Sequence, residues 1–532
     1  MSWDVIVVGA GSAGAVIAAR LSEDPSRRVL LLEAGGSDRT RLCRVPGMVS
    51  IIHTVPQVKQ RFDWGYKTEA QVDADGRVIP YTRGKVLGGS SAINGMVFVR
   101  GHRSNYDGWA ADGCPGWSYD EVLPSFRRLE DWEGEGSALR GKGGPIRLSR
   151  PVGMSPVSEA FLAGVAETCR VPVIDDYNGA SQEGAARFQL SCRDGVRWSS
   201  SEGYLQPALS RPNLSVRTGV QVLKLLLEGT RAVGVQVAAG SGVEDLRAGE
   251  IVVSGGAVGS PHLLMLSGIG PAAQLRAQGI TPVVDLPVGQ NLHDHAFLPL
   301  TFLAPRAGHR GTPWHFFGGM LAEAVRGGTW FGRSVFESVA FVRTPGWTGA
   351  APNLQLHSLP WAYPTNQDDS SQRPVVDMRP SFSLFATLIY PESRGALTLR
   401  SADPRDPPHI DPRFLACEAD RRTLIDGAAI CREIARSRAM SPEITGELEP
   451  GAACVGASLD ALLRQRVFTV YHPVGTCRMG SDERAVVGPD LRVRGIEGLR
   501  VADASVMPSI TGGNTNAPSL MIGERAAELM RG

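Results

Sequence analysis

Lysine is nearly absent: Lys59, Lys67, Lys85, Lys142 and Lys224 are the only lysines among 55 basic residues, and arginine supplies the rest. This bias is read as base composition rather than as special arginine chemistry. Against 54 acidic residues the net charge is only +1, which leaves no electrostatic footprint for nucleic acid or an acidic membrane surface. Small, uncharged partners are expected instead. Long apolar runs are missing too, and none approaches the roughly 20 residues a bilayer crossing needs. Cys43, Cys114, Cys169, Cys192, Cys417, Cys431, Cys454 and Cys477 include no close pair of the kind that zinc or redox sites use, so no metal centre is expected and the thiols read as packing. Few residues precede the first core strand, which leaves no room for a secretory or transit segment, and the expected compartment is the cytoplasm. The sequence shows no internal repeat or low-complexity tract and says nothing of oligomeric state.

What is present is concentrated at the start. Residues 4–33 read as strand, glycine turn, helix and strand: Asp4-Val5-Ile6-Val7-Val8, Gly9-Ala10-Gly11-Ser12-Ala13-Gly14, an Ala/Ile/Leu helix, then Val29-Leu30-Leu31-Leu32-Glu33. Gly9 permits the tight turn, Gly11 lets backbone approach a pyrophosphate, and Gly14 brings the helix close to the strand. Glu33, 19 residues beyond Gly14, is placed to accept hydrogen bonds from an adenosine ribose. A structural glycine turn in some other strand–helix–strand unit is the competing reading. By itself the fingerprint admits NAD, NADP or FAD.

At 532 residues the chain is too long for one core, and two or more lobes are expected. Residues 34–155 are punctuated by Gly and Pro, as in a stretch that wraps a ligand. Residues 214–228 and 232–239 read as paired strands joined at Gly229-Thr230, and Ile251-Val252-Val253-Ser254 as another strand. The character changes near residue 303. Between Trp314 and Tyr390 lie 13 of the chain's 35 aromatic residues, where an even spread gives about 5, and this segment is expected to wall a pocket. Strand-like pieces at 353–357, 381–389 and 396–400 suggest an antiparallel sheet there. A short strand at 499–503 and a helix at 519–530 then return to the first lobe.

Two longer stretches carry a resemblance. Gly84-Lys85-Val86-Leu87-Gly88-Gly89-Ser90-Ser91-Ala92-Ile93-Asn94, continuing through Phe98, Gly101 and Asp107, resembles the first signature of the glucose-methanol-choline family of FAD-dependent oxidoreductases. Gly256-Ala257-Val258-Gly259-Ser260-Pro261-His262-Leu263-Leu264-Met265-Leu266-Ser267-Gly268-Ile269-Gly270 resembles the second. Segments 287–295 and 471–476 are also similar, so the likeness spans the chain, and its choline-dehydrogenase and aryl-alcohol-oxidase branch is the nearest in kind. The resemblance implies an α/β protein: a Rossmann-type FAD-binding domain discontinuous in sequence (1–152, 193–302 and 467–532) plus an α+β substrate domain with an antiparallel sheet (153–192 and 303–466). It implies cofactor contacts from Gly9, Gly11, Ser12, Ala13, Gly14, Glu33, Ala34, Val86, Gly89, Asn94, Gly95, Val97, Val222, Ala257, Asp503, Ala504 and Asn516. Adjacent glycines and small serines suit close passage of backbone beside the cofactor. Some members bind FAD covalently through a histidine immediately before the Asn94 position. Ile93 stands there, so dissociable FAD is expected.

Oxidising an alcohol requires a base within reach of the hydroxyl and a hydride acceptor, the flavin. The resemblance places His472 as that base, over the flavin on the Tyr471-His472-Pro473 loop, with Asn514 as the hydrogen-bonding partner. His357, Val470 and Tyr471 are expected to line the substrate pocket, and His293 and His295 to hold loops near the domain boundary. Choline is disfavoured because the position where choline oxidases carry a glutamate falls near Leu303. From the aromatic composition of the pocket segment, an uncharged primary alcohol, aromatic or furanic, is expected, with O2 or another acceptor reoxidising FAD. The same scaffold also hosts a cyanohydrin lyase and a light-driven fatty-acid decarboxylase. A flavin-dependent lyase or a non-turnover flavin-binding protein is the alternative.

Overall fold

The computed structural model describes residues 2–240, 242–364 and 377–531. The expected domain spans also include residues 1, 241, 365–376 and 532, which lie outside the described residues. The first sheet begins with β1 (Trp3–Val8), crosses through helix α1 (Ser12–Leu21) and returns parallel as β2 (Val29–Glu33), pairing Val5 with Val29 and Val8 with Leu32. Every residue of β2 is buried, which suits the near-continuous apolar runs of strands covered on both faces.

Around this unit the sheet is assembled from distant parts of the chain. β3 (Leu214–Thr218), β4 (Val220–Glu228), β5 (Arg231–Ala239) and β6 (Gly242–Val253) give the order β3-β2-β1-β6-β5-β4, with Leu499–Val501 parallel to β6. β6 has two roles. Its exposed first half pairs antiparallel with β5, and its second half runs parallel to β1. The apolar run 214–228 is two strands, as the Thr218-Gly219 turn of the family resemblance implies: Gly219 adopts φ 69° and turns the chain, so β3 joins the parallel sheet and β4 the antiparallel hairpin. Helix α2 (Gly256–Leu266) follows β6.

The second sheet is antiparallel throughout. Its order is Gly446–Glu449, β7 (Ala296–Leu303), β10 (Ser381–Leu388), β9 (Leu354–Leu359), β8 (Ser338–Val342) and Gly184–Arg187, with Phe468–Thr469 also on β7. β7 and Phe468–Thr469 thus belong to this sheet, inside the spans 193–302 and 467–532 expected for the other domain. A buried apolar strand such as β7 reads the same in either sheet, so periodicity does not assign it. The sheet alternates in its facing: Leu354 and Ala386 abut Gly427 of helix Glu418–Arg436, while Gln355, His357, Phe385 and Thr387 line a cavity.

The C-terminal helix α3 runs Asn516–Leu529, three residues earlier in onset than expected. It packs on α1 so closely that a Cβ at Gly523 would stand 2.8 Å from the Ala13 carbonyl. Buried Glu524 fixes the contact by accepting from Arg20 (Nη2, 2.9 Å), Arg128 (Nε, 3.0 Å) and Tyr204 (Oη, 2.6 Å). No helix among the described residues is long and apolar enough to cross a membrane.

Candidate active site

One cavity of about 720 Å³ runs from the glycine turn after β1 to the face of the second sheet. At its first end three helices begin, α1, α2 and α3, with Gly11, Gly255 and Thr515 at their N-caps, none of which caps its helix through its own side chain. Ser12 and Ala13, Gly256 and Ala257, and Asn516 and Ser519 from their first turns all line the cavity. Uncapped helix N-termini leave backbone N–H groups and the positive ends of three helix dipoles for a phosphate-bearing ligand. The cradle is sized by missing side chains. A Cβ at Gly9 would lie 2.5 Å from the Ser254 carbonyl and one at Gly89 2.7 Å from Gly11 Cα, whereas one at Gly11 meets nothing within 4 Å and would occupy the ligand's space. These features fit the pyrophosphate and ribose half of FAD.

Two buried carboxylates hold this end in shape. Glu33 accepts from the amides of Ala10 (2.9 Å) and Gly35 (2.8 Å), and burial raises its pKa against those hydrogen bonds. It thereby fixes the turn while lining the cavity, so the residue expected to meet a ribose also braces the glycine loop. Asp503 accepts from the amides of Gly256 and Ser505, both at 2.8 Å, and from the Ser260 hydroxyl at 2.5 Å; burial likewise raises its pKa. Asn516 accepts from Ser12 Oγ at 2.8 Å, joining α3 to the glycine turn.

At the other end the 471–475 loop lies on the 291–295 segment. His293 and Val474 exchange backbone hydrogen bonds, and a Cβ on Gly475 (φ 91°) would lie 2.5 Å from the Asn291 carbonyl. Asp294 accepts from the His472 amide (2.8 Å) and Thr469 Oγ1 (2.6 Å). Tyr471 is held at φ 64°, a conformation costly for a bulky side chain, with its amide bonded to Thr469 Oγ1 and its carbonyl to the Arg83 guanidinium. This strained residue aims His472. The ring has Nε2 3.1 Å from Asn514 Nδ2 and Nδ1 3.0 Å from His295 Nδ1. Burial pushes the His472 pKa well below the ordinary imidazole value, with His295, Arg83 and His357 adding to the shift.

Of the residues singled out in the sequence, Gly9, Gly11, Ser12, Ala13, Glu33, Ala34, Gly89, Asn94, Gly95, Val97, Val222, Ala257, Asp503, Ala504, Asn516, His357, Val470, Tyr471, His472 and Asn514 all line the cavity. Gly14 and Val86 do not. A Cβ on Gly14 would sit 1.9 Å from the Gly9 carbonyl, so its place is helix-to-strand packing. Val86 is buried in a side cluster with Cys43, Phe62 and Ile93, because a valine in a strand-like segment beside apolar loops packs inward.

Only four of the 13 aromatics in 314–390 line the cavity: Phe336, Trp361, Tyr363 and Phe385. Trp314 and Phe317 are exposed on helix Pro313–Arg326. Phe188, Phe297 and Phe468 come from outside the segment. Leu303 is not on the cavity wall; from β7 it is Phe297 that faces it, so the absence of a glutamate at Leu303 has no bearing on the site. His293 does hold a loop, accepting from the Ile510 amide at 3.0 Å, but His295 touches His472 directly. Sequence reasoning missed that contact, because nothing in the order of residues brings position 295 to 472.

Comparison with known proteins agrees with the geometry. Family models described as GMC oxidoreductase match residues 3–297 and 391–523. The chain is 39% identical to an oxygen-dependent choline dehydrogenase of Brucella anthropi, over all of this chain and 96% of that protein. It is 38% identical to an alcohol dehydrogenase [acceptor] of Pseudomonas putida, over 99% of this chain and 95% of the other. The solved pyridoxine 4-oxidase from Mesorbium loti superposes with a TM-score of 0.89 at 32% identity, covering 99% of both chains.

Proposed function

The chain belongs to the GMC oxidoreductase family, with FAD as its cofactor, and we propose that it oxidises an uncharged primary alcohol, aromatic or furanic, to the aldehyde. One observation carries the reading: a neutral His472, paired with Asn514, opens on a pocket end walled by aromatic rings and free of carboxylates among the described residues. The lining carboxylates are Glu33 and Asp503, tied to backbone amides at the glycine turns, and Asp406, beside Pro404 and Gln221 near Val222.

His472 takes the hydroxyl proton at Nε2, and the Asn514 amide orients the substrate oxygen. Phe297, Phe385, Phe468 and Tyr363 enclose the carbon skeleton and exclude water. Bound FAD supplies the acceptor for the hydride. Ser12, Ala13, Gly89, Ala257, Asp503 and Ala504 would hold its phosphate and ribityl portion, and Asn94, Gly95, Val97 and Asn516 its ring. O2 or another acceptor completes the cycle.

A choline reading has specific support in the Brucella relative, and aromatic faces alone can hold a quaternary ammonium. Anaerobic mixing of the holoenzyme with benzyl alcohol, 5-hydroxymethylfurfural and choline separates the two. Bleaching of the flavin absorbance by the neutral alcohols supports the proposal, and bleaching by choline alone overturns it. Peroxide release against dye reduction then distinguishes oxidase from dehydrogenase.

A further inference from the structure

The sheet face that closes the aromatic end of the cavity carries three polar side chains. Gln355 on β9 stands directly opposite Thr387 on β10, His357 lies two residues along β9 opposite Phe385, and Phe297 on β7 flanks Thr387. In an antiparallel sheet such positions share one face, and all five residues line the cavity. Gln355, His357 and Thr387 are only 4%, 7% and 2% exposed. Yet none of the three side chains has a hydrogen-bond partner among the described residues, and His357 Nδ1 and Thr387 Oγ1 are both buried and unmatched. An unmatched buried polar group costs ~1–3 kcal/mol, so an apolar residue at each position would make a more stable wall. Two such groups beside the unpartnered Gln355 amide on one cavity face mark a demand that a ligand meets.

The chemistry of the demand is specific. Gln355 and Thr387 each donate and accept but carry no charge. His357 sits among Phe188, Phe336 and Phe385, with ring centroids 6.0, 5.7 and 4.5 Å away, and burial holds its pKa down to about 3, so it too is neutral. A cation or carboxylate finds no counter-charge on this face. We infer that Gln355, His357 and Thr387 form a neutral polar subsite that binds a second, uncharged hydrogen-bonding group of the substrate, such as a phenolic hydroxyl or ring nitrogen, while its hydroxymethyl group is held at His472. This inference rests on the proposed oxidation of a neutral aromatic alcohol, and it narrows the substrate class to aromatic alcohols with a second neutral donor or acceptor.

Two measurements on the holoenzyme test it. The first is the ratio of kcat/KM for 3-hydroxybenzyl alcohol to that for benzyl alcohol. The ratio is expected to exceed ~10 in the wild type, and to fall about tenfold in Gln355→Met, Thr387→Val or His357→Phe, the effect of one buried hydrogen bond. FAD content reports folding of each variant, and His357→Gln, which keeps a neutral donor and acceptor, is expected to restore part of the ratio. A ratio near 1 in the wild type, or one unchanged in all three apolar variants, overturns the inference. The second is calorimetric binding of phenol and toluene, neither of which has a hydroxymethyl group to oxidise. Tighter binding of phenol, lost in Gln355→Met and Thr387→Val, supports the subsite even if no aromatic alcohol turns over, whereas equal binding overturns it. Failure of turnover alone therefore counts against the proposed function and not against the subsite.

Discussion

Nδ1 of His295 and Nδ1 of His472 stand 3.0 Å apart, edge to face, and only one of them can carry the shared proton. His295 Nε2 is 3.0 Å from the Ile389 carbonyl, which only accepts, so Nε2 bears a hydrogen. Burial pushes the His295 pKa down to about 3, which leaves its Nδ1 as an acceptor. His472 must then donate from Nδ1 and carry its lone pair on Nε2, where Asn514 and the cavity lie. The order Ile389, His295, His472 thus leaves the lone pair on His472 Nε2, the tautomer that the proposed proton abstraction needs.

Removing the acceptor removes that selection. The His295→Phe variant is expected to bind FAD normally but lose kcat on the order of 10- to 100-fold, the rate equivalent of a buried hydrogen bond. His295→Asn, which retains an acceptor, is expected to recover part of the loss. Stopped-flow flavin reduction measures both, and an unchanged rate in the Phe variant contradicts a positioning role.

His472 itself is testable by substitution and by pH. Alanine at 472 is expected to lower the rate by about 10² to 10⁴ with FAD retained; near-normal flavin reduction in that variant sinks the assignment. As a base it works only when neutral. Because burial, with the Arg83 guanidinium nearby, lowers its pKa, the acid limb of kcat/KM is expected below pH 6.5. A limb at or above 6.5 contradicts the environment described for it.

The cradle makes a separate prediction. Since a Cβ at Gly11 meets no protein atom within 4 Å, Gly11→Leu is expected to fold, with normal circular dichroism, yet to purify without flavin colour. Holoprotein from this variant contradicts the placement of the pyrophosphate. In the wild type, acid precipitation is expected to release all the flavin, because Ile93 beside the cavity has no nucleophile; colour remaining in the pellet requires another covalent link.

Buried histidines also set the acid stability. Burial pushes the pKa of His53 and His262 down to about 4 and of His293, His295 and His357 to about 3, against 6.5 in the unfolded chain. Between these values the unfolded chain binds more protons at these histidines than the folded one, so their contribution to stability is full above about 6.5 and falls as pH drops toward 3. Calorimetry of the holoprotein is expected to show Tm decreasing steadily from pH 6.5 to 4. A flat Tm across that window contradicts the buried neutral state.

The sequence by itself determined what local chemistry dictates. The glycine turn with Glu33 is contiguous and constrained by close backbone approach, so order alone reveals it, whereas the glycine-rich signatures and the His472 loop are legible through the family resemblance their contiguous residues carry. Asn514 was legible by aligning the final helix with the family's pattern. Other features depend on which strands become neighbours. β7 carries Phe297 into the cavity because it pairs with β10, His295 reaches His472 because two loops 177 residues apart in sequence exchange backbone hydrogen bonds, and Gln355 meets Thr387 through antiparallel register. Hydrophobic periodicity says that such strands are buried, but not against what. Tertiary pairing alone decided the proton's position on His472 and the polar face of the pocket, because both arise from contacts between side chains that share no local sequence constraint.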